Sequence, residues 1–315
     1  HRTPRLVDSH IAAMDITAST ALAQADRLGA IVKIGEVIDA GFIINKANLA
    51  KLAEQLFAST TGKVTIGISH YGHHITKTSA INFGRELQSI LKAQGHSVRL
   101  LQNNAATLST ATVLHNGLAS NNPKKVELSI IPGQTNSRVT IAQTIFVQDI
   151  DAYTFRDRRR PRRDAHNGML PPKLAQTMIN LAHGALKTKQ ALNDDQLNVL
   201  DPFCGTGVVL QEATLMGMNV YGTDLNPDMI RNTKDNLAWL ARTHHRQIQP
   251  NLAIGDATNF DWRNWAKPDH INLVATETYL GKPYTTTPSL AELGYNITAC
   301  NIIISKFLKN ISGQL

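Results

Sequence analysis

A glycine-rich turn between a strand and a helix restricts the C-terminal half of this chain to an alternating α/β fold. Residues 197–200 are apolar enough for a buried strand, and Asp201-Pro202-Phe203-Cys204-Gly205-Thr206-Gly207 follows them before a helical pattern begins. The two glycines let a ligand approach the backbone without meeting a Cβ atom. Such a turn is typical of a parallel sheet that carries helices on its faces.

Further strand patterns follow this turn and alternate with helical patterns. Strands are predicted at 219–222, 251–254 and 271–275, and Asn226 and Pro227 begin a helix after the first of these. The alternation predicts an open, doubly wound, Rossmann-like α/β sheet. Because few strands precede the end of the chain, we expect a C-terminally truncated domain that lacks its last strands. The last strand would then be an exposed edge that favours aggregation.

An acidic side chain stands at the end of each of the first three strands of this sheet. Asp201, Asp224 and Asp256 occupy these positions. A dinucleotide fingerprint would have a third glycine where this chain has Leu210, and Asp201 would repel a pyrophosphate. Carboxylates suit an ammonium group, ribose hydroxyls and an adenine amino group. These residues therefore predict S-adenosylmethionine as the cofactor. The predicted cofactor-binding set is Asp201, Phe203, Gly205, Gly207, Asp224, Leu225, Asp256 and Ala257.

The N-terminal half has a different pattern, and the length of 315 residues leaves room for a second domain. Its strand patterns lie at 64–68, 98–100, 126–130 and 139–145, with helical spacing at 83–91 and 108–118. Residues 61–150 therefore predict a small α+β module. Residues 1–60 are weakly patterned.

Positive charge is concentrated between these two halves. Residues 151–175 hold six Arg and one Lys against three Asp, which is half of the net charge of +8. Pro161 forbids a continuous helix there, so 151–170 is predicted to be a basic linker. No apolar amphipathic stripe accompanies the charge, which favours nucleic acid over a membrane as partner. The residues predicted to contact nucleic acid are Arg156, Arg158, Arg159, Arg160, Arg162 and Arg163.

Two groups of motifs resemble a known enzyme family. The turn at 201–207, Asp224 and Gly255-Asp256 look like a class I methyltransferase. The segments 148–161 and Gly168-Met169-Leu170-Pro171-Pro172-Lys173-Leu174-Ala175 resemble the THUMP-domain tRNA guanine-N2 methyltransferases. This resemblance implies S-adenosylmethionine-dependent methylation of a guanine exocyclic amine in tRNA.

The same resemblance implies a division of the chain. Residues 1–60 would be part of a ferredoxin-like lead-in and 61–150 a THUMP-like RNA-binding domain. Residues 171–315 would be the methyltransferase domain. The partner implied is tRNA, and an activating protein partner stays open.

The catalytic element of that family is Asp or Asn, two prolines and an aromatic residue after the fourth strand. This chain has Thr276-Glu277-Thr278-Tyr279, which keeps only the aromatic residue. The resemblance implies that Thr276 and Glu277 accept hydrogen bonds from the target amine and that Tyr279 stacks on the guanine. Two alternatives stay open: methylation of DNA or another amine, and a catalytically degenerate RNA-binding protein.

Several other functions are excluded or disfavoured. The chain has no apolar run long enough to span a membrane and no secretory leader pattern. Two cysteines, Cys204 and Cys300, cannot form a disulfide framework, so a cytoplasmic location is expected. His70, His73 and His74 lack an acid or cysteine at ligand spacing, so no metal site is predicted.

Overall fold

The computed structural model shows two compact units. The described residues are 3–8, 10–72, 77–102, 104–133, 138–164, 168–186, 194–266 and 271–314. The first unit comprises 1–26 and 31–150, and the second comprises 27–30 and 151–315.

The first unit is built on a mixed five-stranded sheet. In chain order its elements are β1 (Arg5–Asp8), β2 (Ile11–Ala13), α1 (Ala18–Ala25), β3 (Lys33–Phe42), α2 (Lys46–Phe57), β4 (Lys63–His70), α3 (Lys77–Ala93), β5 (Ser97–Leu100), α4 (Thr110–Asn116), β6 (Lys125–Pro132) and β7 (Val139–Val147). The sheet order is β3-β7-β6-β4-β5, and β1 pairs with β2 separately. Strand β4 runs parallel to both its neighbours, whereas β7 runs antiparallel to both of its own.

The core of this unit includes residues from both sides of position 60. Leu49 and Phe57 of α2 are fully buried together with Ile66 of β4 and Leu87 of α3. The predicted boundary between a lead-in at 1–60 and a module at 61–150 therefore does not separate two packing units. The pattern was weak there because β3 is an edge strand in which half of the residues are exposed and only Phe42 is buried.

The second unit is a parallel sheet with helices. In chain order its elements are α5 (Ile150–Arg159), α6 (Pro172–Ala185), β8 (Asn198–Asp201), α7 (Val208–Leu215), β9 (Asn219–Asp224), α8 (Pro227–Thr243), β10 (Asn251–Ile254), α9 (Trp262–Trp265), β11 (Leu273–Val274) and α10 (Leu290–Ser312). The sheet order β10-β9-β8-β11 is parallel throughout. This order places the crossover between β8 and β11, where ligands bind in open α/β sheets. The Rossmann-like α/β prediction is confirmed.

The segment predicted as a basic linker is largely helical. Helix α5 ends at Arg159, just before Pro161, which agrees with the helix-breaking effect of that proline. Tyr153 and Arg156 face the interior of the second unit. The linker prediction for 151–170 is therefore wrong over α5, because charged composition hid a buried helical face.

No described helix is long and apolar enough to cross a membrane. Nor do the described side chains include a group of three or more His, Cys, Asp or Glu placed to hold a metal. His70 is hydrogen-bonded to Ser79, with 3.1 Å between Nδ1 and Oγ. His73 and His74 lie outside the described residues.

Candidate active site

The carboxyl ends of β8 and β11 bring Asp201 and Thr276 together. Val199 pairs with Leu273 and Leu200 with Val274, so the chain leaves both strands at the same height. Thr276 then donates its hydroxyl to Asp201 Oδ1 at 2.6 Å. Thr276, the first residue of the predicted catalytic element, is therefore hydrogen-bonded to Asp201, the first of the predicted cofactor-binding residues.

Asp201 is a buried carboxylate with no cationic partner among the described residues. It is 3% exposed, and Oδ1 accepts hydrogen bonds from Thr276 and from the Phe203 N–H. Burial raises the pKa of Asp201 to about 7, although these two hydrogen bonds act in the opposite direction. The nearby carboxylates of Asp224 and Glu277 raise its pKa further. A ligand ammonium group would compensate this buried charge.

Asp224 joins the end of β9 to the glycine-rich turn. Its Oδ2 accepts from the Gly205 N–H and its Oδ1 from the Asn226 N–H, both at 2.9 Å. Each oxygen accepts only one hydrogen bond from the described residues, and a carboxylate oxygen has room for a second. The Asp224 side chain can therefore hold the turn and still accept hydrogen bonds from the hydroxyl groups of a ligand.

The other predicted cofactor residues surround these two acids. The Gly255 N–H donates to the Asp224 carbonyl, which connects the ends of β10 and β9, and Asp256 Oδ1 accepts from the Thr258 N–H. Leu225, directly after β9, is 71% exposed. Ala257 is buried. Phe203 packs edge to face on Phe307 of α10, with ring centroids 5.1 Å apart.

The remaining predicted catalytic side chains, Glu277 and Tyr279, are exposed. Glu277 is close enough to act electrostatically on Asp201, and Tyr279 is 36% exposed. The Thr276 hydroxyl already donates its hydrogen bond to Asp201, so toward a substrate N–H it can act only as an acceptor, through its oxygen. Glu277 is therefore the better candidate to accept from an amine.

Two residues of α8 that sequence reasoning missed hold the glycine-rich turn. Thr233 Oγ1 donates to the Gly205 carbonyl at 2.7 Å, and Asn236 Nδ2 donates to the Thr206 carbonyl at 2.8 Å. Both side chains are fully buried. Polar residues at helical spacing beside the apolar Leu237 and Leu240 were the signal that could have found them.

Gly207 fits this turn closely, because its φ is +82° and an added Cβ would lie 2.7 Å from Thr233 Cγ2. We expect Gly207→Ala to lower the free energy of unfolding by about 2–3 kcal/mol, from backbone strain together with this clash. Gly205→Ala is the matched control, since φ is +51° there but an added Cβ meets nothing within 4 Å. It should cost only about 1–2 kcal/mol. Urea unfolding of the two variants side by side tests this, and equal losses would contradict the role of Thr233.

Two of the six arginines predicted to bind RNA are in the interior. Arg156 forms a buried ion pair with Glu212, with 2.8 Å between Nε and Oε1, and Gln176 also donates to that carboxylate. Arg160 is 3% exposed and contacts Asp157 and Met169. The RNA-binding prediction is therefore withdrawn for Arg156 and Arg160, since their guanidinium groups are used within the unit.

The other four predicted arginines, Arg158, Arg159, Arg162 and Arg163, are exposed. Arg162 pairs with Asp235 at 2.8 Å on the surface.

A separate cavity of about 400 Å³ lies between Leu280–Tyr284 and α10, and none of the three strand-end aspartates lines it.

The comparisons with known proteins agree with this geometry. Residues 159–263 match the family described as RMKL-like, methyltransferase domain. The chain is 33% identical over 115 residues to a tRNA (guanine(10)-N2)-dimethyltransferase of Pyrococcus abyssi, which is 36% of this chain and 30% of that protein. It is 39% identical over 82 residues to the protein of the same name from Methanothermobacter thermautotrophicus, covering 26% of this chain and 22% of that one.

A solved structure of a putative RNA methyltransferase from Pyrococcus horikoshii aligns with 17% identity over 43% of this chain and 59% of that one, and its TM-score is 0.26. The chain spans less than a third of the length of the two curated relatives named above. The match over residues 159–263 is to a methyltransferase domain, and the resemblance of this chain to the tRNA guanine-N2 methyltransferase family is confirmed over the aligned parts.

Proposed function

We propose that this chain transfers a methyl group from S-adenosylmethionine to the exocyclic N2 of guanine in tRNA. The observation that carries the proposal is the buried Asp201 carboxylate, which has no cationic partner among the described residues and lies beside Asp224 at the ends of adjacent strands. The names of the two curated relatives supply the substrate.

Each strand end has one task in cofactor binding. Asp201 pairs with the ammonium group of the methionine part. Asp224 accepts hydrogen bonds from the ribose hydroxyls, and Asp256 accepts a hydrogen bond from the adenine amino group. The backbone at Gly205 and Gly207 allows close approach. Leu225 and Ala257 contact the adenine ring, and Phe203 closes the side near α10.

The residues that follow β11 position the target amine. When bound, S-adenosylmethionine supplies a methyl group that is already activated by its positive sulfur. The amine is a poor nucleophile because its lone pair is delocalised into the ring, so orientation supplies much of the rate. Glu277 accepts a hydrogen bond from an N–H of the amine and then takes its proton, as the N–C bond forms and the bond between the methyl carbon and sulfur breaks to leave a neutral thioether. Tyr279 stacks on the extruded base, and Thr276 fixes Asp201.

Direct displacement is part of the proposal. Burial raises the pKa of Cys204 well above its usual value, so its thiol is not a nucleophile at neutral pH.

The two free cysteines suit a reducing compartment, and we place the protein in the cytoplasm.

The test is methyl transfer by the 315-residue chain from labelled S-adenosylmethionine to unmodified tRNA transcripts, with nucleoside mass spectrometry of the product. We expect N2-methylated guanosine. We expect Glu277→Gln to lower the rate about 100-fold, as for loss of a general base, and Glu86→Gln, an exposed glutamate of α3, to have no effect. Label in DNA or in adenosine would overturn the guanine assignment. Cofactor binding without turnover on tRNA would favour a degenerate RNA-binding protein.

A further inference from the structure

One face of the second unit combines exposed arginines with an exposed aromatic ring. Phe155 of α5 is 40% exposed and stacks on Trp239 of α8, with ring centroids 5.5 Å apart and an interplanar angle of 29°. Arg158 and Arg159 follow at helical spacings of three and four, which places all three α5 side chains on one side of the helix. Both arginines are exposed.

The chain after α5 is held against α8 beside this pair. The Arg162 N–H donates to Asn236 Oδ1 at 2.9 Å, and Asn236 Nδ2 donates back to the Arg162 carbonyl at 3.0 Å. Arg162 also pairs with Asp235, one helical turn from Trp239. These contacts hold the backbone at Arg162, and the exposed Arg163 follows it in the chain, while Arg242 is exposed one turn beyond Trp239.

We call this set of residues the Phe155 face: Phe155, Arg158, Arg159, Arg162, Arg163, Trp239 and Arg242. Within the described parts of the chain, Arg162 is the one arginine of this face that has an ion-pair partner. A solvated basic helix end alone would be ordinary, but an exposed aromatic ring on the same side of a helix as two exposed arginines is not. Proteins that bind single-stranded nucleic acid combine these two features, because every base has a face that stacks and every nucleotide a phosphate.

We propose that the Phe155 face binds an unpaired stretch of RNA, with a base stacked on Phe155 and phosphates held by Arg158, Arg159 and Arg163. The inference rests on the proposed RNA substrate and adds that this contact selects single strands. In an A-form duplex the bases are stacked on each other and their faces cannot reach Phe155.

The charge part of the proposal is tested by fluorescence anisotropy with a labelled oligoadenosine over a range of salt. The variant is Arg158→Gln/Arg159→Gln/Arg163→Gln in the full chain. Loss of three phosphate contacts should make the negative slope of log K against log salt shallower by about 2 and lower the affinity about 100-fold at about 0.1 M salt. The matched control is Lys282→Gln/Lys306→Gln/Lys309→Gln, which removes three exposed positive charges elsewhere in this unit. Equal losses in both triple variants would overturn the proposal.

The stacking part is tested by Phe155→Leu, which keeps an apolar side chain against Trp239. We expect affinity for the single strand to fall about 5- to 100-fold with an unchanged salt slope, as for loss of one stacked base. Affinity for a duplex RNA of the same length should not change. An unchanged single-strand affinity, or an equal loss for the duplex, would overturn the proposal.

The outcome is separable from that of the proposed function. If the unaltered chain methylates tRNA while both Phe155-face variants bind the oligonucleotide normally, only the present inference fails. If the unaltered chain binds neither RNA nor S-adenosylmethionine, both the proposed function and the inference about the Phe155 face fail. Calorimetry with S-adenosylmethionine should give the same affinity for these variants and the unaltered chain.

Discussion

At about pH 8, the Asp201→Asn variant is expected to be more stable than the unaltered chain although it binds S-adenosylmethionine more weakly. The carboxylate is buried, and burial raises its pKa from 3.8 to about 7. Between these values the unfolded chain is ionised at this position and the folded chain is protonated. Folding then takes up a proton, so stability falls as pH rises from about 4 to about 7.

The size of this effect follows from the difference in pKa. At about 1.4 kcal/mol per pKa unit, the full penalty above pH 7 is about 4 kcal/mol. An asparagine is neutral throughout, and its amide oxygen can still accept from Thr276 and the Phe203 N–H. Its amide N–H group has no described acceptor, so we expect a net gain of about 2–3 kcal/mol at about pH 8, and none at about pH 4.

Urea unfolding of the variant at several pH values measures this stability difference. Asp195→Asn is the matched control, because Asp195 is an exposed acid of the same unit. It should show no such dependence on pH. The same Asp201→Asn variant should lose about 10- to 100-fold in affinity for S-adenosylmethionine, because a charge-assisted contact to the ammonium group is lost. A variant that gains no stability at high pH, or that binds the cofactor normally, would contradict the assigned role of Asp201.

The second large effect is expected for Asp224→Ala. We expect the affinity for S-adenosylmethionine to fall at least about 100-fold, because two hydrogen bonds from ribose hydroxyls to a charged acceptor are lost at about 1.5–3 kcal/mol each. Part of the loss comes from the turn, since the Gly205 N–H loses its acceptor. Isothermal titration calorimetry measures the affinity directly.

Two further variants separate these contributions. Asp224→Asn keeps a side-chain oxygen that can accept from the Gly205 N–H, so its affinity should lie between that of Asp224→Ala and that of the unaltered chain. Asp228→Ala removes an exposed acid at the start of α8, whose side chain pairs with Arg231, and should bind normally. An Asp224→Ala variant with unchanged affinity would show that this side chain does not hold the ribose.

The sequence predicted the parts of the second unit that depend on local pattern. The turn from Asp201 to Gly207 was visible because glycine is the residue best suited to the positive φ found at 205 and 207. The parallel order of the strands followed from the alternation of strands and helices. The edge strand β3 could not be bounded, because only one of its residues is buried and buried and exposed positions do not alternate.

The sequence could not show which partner each charged side chain takes. Arg156 and Arg160 have the same local composition as Arg158 and Arg159, yet the first two are buried and the last two exposed. The difference depends on Glu212 of α7, which is 56 residues away from Arg156. Thr276 likewise departs from the resembled family's pattern, and only the register of β11 on β8 reveals that it donates to Asp201.

The central claim is that the strand-end carboxylates form a site for a cationic nucleoside without phosphate. The most direct measurement is calorimetric titration of the unaltered chain with S-adenosylmethionine and, separately, with ATP. We expect one-to-one binding of S-adenosylmethionine and no competition from ATP, because Asp201 and Asp224 repel phosphate groups. Displacement of S-adenosylmethionine by ATP, or no binding of S-adenosylmethionine to the folded protein, would contradict it.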